Sequence, residues 1–326
     1  MTKLDQLVEI LKNAPDEIFI QPHNVPDPDA IAASFGLKVL LAEKGIISEI
    51  VYENEIEKAN SSKMLELFDI KITLASEVET LGVEDWTVLM DGQKGNSNMT
   101  DLITDEVAVI DHHEYSGDQG CRFVDVRPEV GACSTIIAEY FIENDIPIPK
   151  KVATALLYGI FMDTDNLTRG VSELDINIFY HLYTLSDIGL ITSLKGNQIS
   201  QDDLKDYAKA FNTVEVYGEI GFLFLESGND SLLGASSDIV VTIAGVNVVV
   251  AYSPRGEGIK FSTRSINNNL KANGLVRHIL EGVGFGGGHA SMAGGYLPLK
   301  NFDKNKSLHT FVRHRAISYV EQQISS

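Results

Sequence analysis

The sequence predicts an α/β protein with a mostly parallel, doubly wound sheet, followed by a smaller second α/β domain. In the first part of the chain, apolar β-branched runs alternate with segments of helical spacing, which is typical of a parallel sheet. The pattern changes near residue 187, and the total of 326 residues is long enough for two domains. We therefore expect domains at 1–187 and 213–326, joined by a helical linker at 188–212.

The elements of the first domain follow from apolar spacing. Leu4, Leu7, Val8 and Leu11 recur at helical intervals and predict a first helix at 3–13. Small residues favour a helix at 30–43 that packs closely on a sheet. Short apolar runs predict five strands, and longer periodic runs predict three further helices. The strands cover 17–21, 48–52, 86–90, 106–110 and 122–126, and the helices cover 132–143, 150–161 and 175–185.

The second domain has a different pattern. Its strands are predicted at 219–225, 238–244, 246–252 and 259–264, with antiparallel pairing, and a closing helix is predicted at 307–324. Between them lies a glycine-rich segment, residues 284–295, which we expect to lead into a helix.

Charge and cysteine usage limit the function classes. The net charge is −20, which disfavours binding of long nucleic acid, because that binding depends on Lys and Arg. Cys121 and Cys133 form no metal-binding pattern, so a reduced, cytoplasmic chain is predicted. No apolar run reaches the roughly 18 residues that a membrane span needs, so no membrane association is expected.

Carboxylates and imidazoles recur just after the predicted strands. The carboxyl ends of parallel strands meet at one edge of a sheet, so these side chains should converge. Oxygen ligands mixed with imidazole suit Mn²⁺ better than a structural zinc, and two such ions a few ångströms apart suit phosphoester hydrolysis. The motifs comprise His23, Asp27 and Asp29, then Asp91, then Asp111, His112 and His113, and finally Asp163.

Each motif also has an ordinary structural interpretation. Asp27-Pro-Asp29 fits a turn with a helix cap, Asp111 to His113 fits a cap with surface histidines, and Asp163 fits a helix end. The joint occurrence of all of them in an alternating βα chain favours the metal site.

The glycine segment likewise has two interpretations. Gly286, Gly287 and Gly288, followed by His289, resemble a phosphate cradle, because backbone N–H groups can approach an anion where no Cβ intervenes. A turn without chemistry is the alternative. Arg264 is the natural cationic partner of such a cradle, and a surface arginine is the alternative there.

Taken together, these motifs resemble the DHH–DHHA1 phosphoesterases across essentially the whole chain. Asp111-His112-His113 matches the motif that gives the family its name, and Gly286 to His289 matches the C-terminal DHHA1 signature. The compact size is similar to that of the nanoRNase and linear dinucleotide phosphodiesterase branch, which takes part in cyclic dinucleotide signalling.

The resemblance implies two Mn²⁺ ions, with Mg²⁺ or Co²⁺ as alternatives. One would be held by His23, Asp27 and Asp91. The other would be held by Asp29, Asp91, His112 and Asp163. His113 would contact the scissile phosphate and Asp111 would orient a ligand, while Arg264, Gly286, Gly287, Gly288 and His289 would bind the substrate. The active site would then lie in the cleft between the domains.

The implied substrate is a short linear dinucleotide such as pGpG or pApA, or a nanoRNA, cleaved to mononucleotides. A 3′-phosphatase acting on pAp is the first alternative, and a catalytically silent nucleotide-binding module is the second. A manganese pyrophosphatase is a third. The resemblance also implies a homodimer.

Overall fold

The chain folds into two units, Met1–Gln198 and Ile199–Ser326, in this computed structural model. The structure describes residues 1–56, 59–115, 117, 119–195, 201–226, 229–303 and 305–324. Of the predicted linker, residues 196–200 lie outside the described residues. The remainder forms two helices, Ile188–Lys195 and Gln201–Phe211, and each packs within its own unit.

The first unit is built from a parallel sheet and helices. In chain order it contains α1 (Lys3–Leu11), β1 (Ile18–Pro22), α2 (Pro28–Glu43), β2 (Glu49–Tyr52), α3 (Ala59–Leu67), β3 (Thr73–Leu74), β4 (Trp86–Met90), β5 (Asp105–Asp111), β6 (Phe123–Val126), α4 (Cys133–Glu143), α5 (Lys150–Asp163), α6 (Glu173–Leu185) and α7 (Ile188–Lys195).

All six strands of this sheet run parallel, in the order β3-β2-β1-β4-β5-β6. The chain therefore moves outward from β1 in one direction and later in the other, as the predicted doubly wound topology requires. In such sheets the crevice at the reversal, here between β1 and β4, is where ligands bind. The prediction of a parallel α/β sheet is confirmed.

The main core lies between the helices and one face of the sheet. Leu37, Leu40 and Leu41 of α2 are fully buried there beside the α5 residue Leu156. A smaller cluster of Leu89, Met99 and Val109, joined by Cys121, Val124 and Val126, lies on the other face. Within the described residues, the β4–β5 and β5–β6 connections contain no helix, so loops cover that face.

The second unit has a mixed sheet in the order β11-β12-β10-β9-β8-β7. Its β8–β9 pair is parallel and its other pairs are antiparallel. In chain order it contains α8 (Gln201–Phe211), β7 (Glu215–Tyr217), β8 (Ile220–Phe224), α9 (Asp230–Val240), β9 (Val248–Arg255), β10 (Gly258–Ser265), α10 (Ala272–Leu280), β11 (Phe285–Gly288), β12 (Met292–Pro298) and α11 (Leu308–Ile324).

Two local predictions for this unit are wrong. The strand expected at 238–244 is instead the last three residues of α9 and the turn that follows it, and α9 starts at the Asn229 cap and buries Leu233 and Val240. The glycine segment does not lead into a helix, because Phe285–Gly288 pairs with Met292–Pro298 as an antiparallel hairpin. Among the described residues, no helix is both long and apolar enough to cross a membrane.

Candidate metal centre

The reversal point of the first sheet brings the predicted ligands together. His23 follows β1, Asp91 follows β4, and Asp111 is the last residue of β5, with His112 directly after it. Helices supply the other carboxylates, including Asp163 as the last residue of α5. Sequence-distant side chains therefore meet because their strands or helices end at the same edge.

Asp27 both caps α2 and faces the site. Its Oδ1 accepts hydrogen bonds from Asp29 N at 3.0 Å and Ala30 N at 3.1 Å, and Pro28 occupies the first helical position. This same oxygen lies 4.0 Å from His23 Nε2. The cap interpretation and the ligand interpretation of the motif are therefore compatible, because capping places the carboxylate beside the histidine.

Asp91 lies at the centre of the site. Its φ is +57°, a left-handed conformation that turns the chain sharply at the end of β4. Its Oδ2 lies 3.8 Å from His23 Nε2, and its Oδ1 lies 3.4 Å from His112 Nε2. Asp91 Oδ1 is buried, and no group of the described residues donates a hydrogen bond of good geometry to it. A buried carboxylate oxygen without a donor is costly unless a cation approaches it, so it fits a metal ligand.

The His112 ring is oriented by a main-chain carbonyl. Its Nδ1 lies 3.1 Å from Val130 O, which turns Nε2 toward Asp163 Oδ2 at 3.0 Å and toward Asp91. Burial lowers the pKa of His112, but the hydrogen bond with Asp163 and the negative charges of Asp163 and Asp91 raise it well above its ordinary value. A histidine held by a carbonyl at one nitrogen presents the other for coordination.

Asp29 is buried against the start of α4. Its two oxygens accept from Cys133 N at 2.7 Å and Ser134 N at 2.9 Å. Burial raises its pKa well above the ordinary range, and the charges of Asp91 and Asp163 raise it further. Such crowding of carboxylates is relieved when a cation binds between them.

His113 is held by Asp111 and also lies near Asp91, with 3.7 Å between His113 Nδ1 and Asp91 Oδ1. His113 Nδ1 lies 2.8 Å from Asp111 Oδ1, and Asp111 Oδ2 accepts from Gln93 Nε2 at 2.6 Å. Burial lowers the pKa of His113, but the Asp111 hydrogen bond and the Asp91 charge raise it to about 9. The imidazole is therefore cationic at neutral pH in the metal-free protein.

The six predicted metal ligands fall into two groups, and within each group the ligand atoms lie no more than 4.8 Å from one another. Asp91 also lies within this distance of His112 and His113, and of Asp29 together with Cys133. Burial raises the pKa of the Cys133 thiol, so this side chain stays neutral. The first group is His23, Asp27 and Asp91, and the second is Asp29, His112 and Asp163.

The predicted substrate-binding residues lie in the second unit. Arg264 on β10 is mostly buried and forms an ion pair with Asp238, and it also donates to Ser262 Oγ at 3.0 Å. Gly288 has a φ of +133°, and a Cβ there would lie 2.7 Å from Ala293 Cα, so only glycine fits. His289 is half-buried and donates its N–H to Met292 O at 2.8 Å.

Gly286 and Gly287 lie on β11, which is the edge strand of the second sheet. Arg277 of α10 donates to Gly286 O at 3.4 Å. An edge strand leaves some of its backbone groups without a neighbouring strand, which suits the approach of an anion.

Sequence analysis missed several groups that shape the site. Val130 acts through a carbonyl, Cys133 and Ser134 act through amides, and no side-chain pattern marks such roles. Arg169, whose Nη2 donates to Asp163 O at 2.6 Å, places a guanidinium beside the ligand set. The sequence indicates this role of Arg169 only through its position six residues after Asp163.

Comparisons with known proteins agree with this architecture. Residues 17–160 match the DHH family, N-terminal domain, and residues 219–310 match the DHHA1 domain. An uncharacterized protein of Methanocaldococcus jannaschii is 31% identical over 293 residues, which are 89% of this chain and 59% of that protein. This chain therefore spans about three fifths of that relative's length.

Two further proteins resemble this chain, one in sequence and one in fold. A probable manganese-dependent inorganic pyrophosphatase of Streptococcus thermophilus is 30% identical over 150 residues, which are 45% of this chain and 48% of that enzyme. The crystal structure of an exopolyphosphatase-related protein from Bacteroides fragilis has the same fold. Its TM-score is 0.78 at 22% identity, and the match covers 99% of this chain and 95% of that one.

Proposed function

This chain belongs to the DHH–DHHA1 phosphoesterases, and from that membership we propose that it hydrolyses short linear dinucleotides or nanoRNA to mononucleotides in a manganese-dependent reaction. The observation that carries the proposal is the pair of ligand groups that meet at Asp91, whose buried Oδ1 receives no hydrogen bond of good geometry from the part of the chain that the structure describes. The proposed activity is that of a phosphodiesterase.

The donor set supports two divalent ions. His23, Asp27 and Asp91 would hold one, and the second group of ligands together with Asp91 would hold the other. Carboxylate oxygens combined with imidazole nitrogens suit Mn²⁺, and the manganese-dependent relative supports the same choice. Once bound, two such ions supply a strong nucleophile at neutral pH and offset charge on the reacting phosphate.

Side chains of this protein would then orient the substrate. His113, cationic near neutrality and fixed by Asp111, would donate to a non-bridging phosphate oxygen and stabilise the charge that develops there. Asp111 is fully buried, so it cannot itself reach a phosphate and acts by holding the imidazole. Arg169, beside Asp163, supplies a further positive charge near the ligands.

The second unit would bind the far end of the substrate. We assign this role to the edge-strand amides at Gly286, Gly287 and Gly288, with His289 and Arg264 as polar partners. Arg264 is engaged by Asp238, so binding a phosphate through this guanidinium would exchange one anionic partner for another. The net charge of −20 supports a short substrate over long nucleic acid.

Pyrophosphate is the second candidate substrate. The Streptococcus thermophilus relative favours it, because that enzyme is described as a manganese-dependent inorganic pyrophosphatase. The match covers less than half of either chain, so it supports the metal chemistry more than the choice of substrate. The 3′-phosphate of pAp and a silent binding module remain further alternatives.

Hydrolysis of a substrate panel with Mn²⁺ tests the proposal. The panel contains pGpG, pApA, five-residue RNA, long single-stranded DNA, pAp and pyrophosphate, and the Asp91→Asn protein serves as the control for contaminating activity. Rapid conversion of a dinucleotide to mononucleotides, with little action on long strands, is expected. Preference for pAp or pyrophosphate would replace the proposed substrate, and no turnover despite bound metal would favour the binding module.

A further inference from the structure

One buried carboxylate outside the ligand set contacts the segment that orients two of the ligands. Asp175 is the third residue of α6 and is fully buried. Within its own helix it forms an ordinary capping box, in which its Oδ2 accepts from Ser172 N at 2.7 Å and its N–H donates to Ser172 Oγ at 3.2 Å, and Ser172 Oγ also donates to its Oδ2 at 2.6 Å. A capping box needs nothing more than these local contacts.

Asp175 also accepts two hydrogen bonds from far away in the sequence. Gly131 N donates to its Oδ2 at 2.8 Å, and Thr135 Oγ1 donates to its Oδ1 at 2.5 Å. The donors lie at residues 131 and 135, and the peptide unit that carries Gly131 N also carries Val130 O, so the two contacts hold residues 130–135 from the loop after β6 to the first turn of α4. The carboxylate therefore holds both ends of this short segment.

Residues 130–135 are also the ones that orient the ligands. Val130 O faces His112 Nδ1 at 3.1 Å, while Cys133 N and Ser134 N donate to the two oxygens of Asp29. His112 and Asp29 belong to the same ligand group. A displacement of this segment would therefore move both ligands at once.

Close packing makes the segment sensitive to its anchor. A Cβ on Gly131 would lie 2.8 Å from Thr164 Cγ2, 2.9 Å from Gly170 O and 3.0 Å from Asp175 Oδ2. Gly131 thus fits between α6 and the turn that follows Asp163. Asp175, Gly131 and the turn after Asp163 are therefore packed directly against one another.

We propose that Asp175 is a positioning residue for metal binding. By holding residues 130–135, it keeps the Val130 carbonyl on His112 and the α4 amides on Asp29. This inference rests on the proposed metal centre but not on the proposed substrate. Residues that orient metal ligands in this indirect way typically change metal affinity about 10- to 100-fold when they are altered.

The test compares Mn²⁺ binding by the full-length wild type, Asp175→Asn and Ser172→Ala, measured by electron paramagnetic resonance of the free ion. Asn places an N–H₂ group where a carboxylate oxygen accepted, so Gly131 or Thr135 loses its acceptor. Ser172→Ala removes the hydroxyl of the same helix cap and keeps the Asp175 contacts to residues 130–135. It is therefore a matched control for loss of the cap.

We expect Asp175→Asn to raise the Mn²⁺ dissociation constant about 10- to 100-fold. Ser172→Ala removes one hydrogen bond to Asp175 but keeps those from Gly131 N and Thr135 Oγ1, so it should leave this constant within about twofold of the wild type. The visible absorption of the Co²⁺-loaded protein should shift in Asp175→Asn alone, because that band reports ligand geometry and not overall stability. Equal affinities in wild type and Asp175→Asn, or equal losses in both variants, would overturn the inference.

A second variant covers a failure of Asp175→Asn to fold. Thr135→Val removes one hydrogen bond to Asp175 with little change of shape, and it should weaken Mn²⁺ binding by a smaller factor. Unchanged binding in Thr135→Val would then overturn the inference. A wild type that binds no Mn²⁺ would instead refute the proposed metal centre itself, so the two failures are distinguishable.

Discussion

The α-carbon of Gly159 on α5 faces the Asp29 carboxylate so closely that a Cβ there would lie 2.9 Å from Asp29 Oδ1. The same Cβ would overlap Ser134 Oγ. The absence of a side chain at this position therefore allows α5 to pack beside the carboxylate of a proposed metal ligand and the start of α4.

Replacement of Gly159 by alanine should weaken metal binding as well as the fold. The added methyl group must displace Asp29 or Ser134, and overpacking of this kind costs about 1–3 kcal/mol. Unfolding in urea and Mn²⁺ titration measure the two effects. Gly36→Ala is the matched control, since its Cβ would lie 2.7 Å from Ile137 Cγ2, away from the ligands. It should lose stability and keep its Mn²⁺ affinity; loss of affinity in both variants would contradict the prediction.

Asp91→Asn should keep the fold and lose the metal. Asn tolerates the left-handed conformation that Asp91 adopts, so little strain is added. The side chain loses the charge that both ligand groups share, and we expect Mn²⁺-dependent turnover to fall about 100-fold or more. Asp145→Asn, at another left-handed aspartate with a φ of +52°, is the control that should retain activity. Full turnover by Asp91→Asn would refute the metal assignment.

Protonation of His113 should stabilise the metal-free protein. Its pKa is raised from 6.5 to about 9, so the stabilisation is fully present below pH 6.5 and is lost as the pH rises through about 9. In the presence of a chelator, the difference in unfolding free energy between wild type and His113→Gln should therefore be largest below pH 6.5. His181→Gln, at an exposed position on α6, is the control. A difference that does not vary with pH would count against the Asp111–His113 pairing.

Asp125 should stabilise the first unit above acidic pH. It is buried, yet a two-point contact with Arg127 and a hydrogen bond from Tyr140 keep its pKa below the ordinary 3.8. The stabilisation is present above pH 3.8 and is lost as the pH falls through the lower folded value. Asp125→Asn should cost about 3 kcal/mol at pH 7, because it leaves Arg127 with only one of its acidic partners. The deficit should shrink on acidification, and urea unfolding at several pH values would measure this.

The proposed ligands could be predicted from the sequence because each of them follows a strand or lies at one end of a helix. Asp91, Asp111 and Asp163 stand at element ends that apolar periodicity marks, and parallel topology brings such ends together. The sequence therefore indicated the parallel topology of the first sheet and the chemistry expected at its edge.

The groups that support the proposed ligands could not be predicted from the sequence, because their roles depend on tertiary contacts. Val130 contributes a carbonyl, Gly159 contributes the absence of a side chain, and Asp175 has a sequence pattern that indicates a helix cap alone. In the second unit, α9 ends in Asp-Ile-Val and is followed by Val241, a run with strand propensity that packing overrides. The ion pair of Arg264 with Asp238 could not be predicted either, because the sequence pattern places Asp238 in a strand and not on α9.

The placement of all six proposed metal ligands within the first unit bears on how such proteins diversify. Substitutions in the glycine hairpin or around Arg264 leave every one of those ligands untouched. Selection can therefore change the preferred phosphate compound through the second unit while metal dependence is inherited intact. We expect descendants of one ancestral gene to share a reaction type and to differ in the compound that they consume.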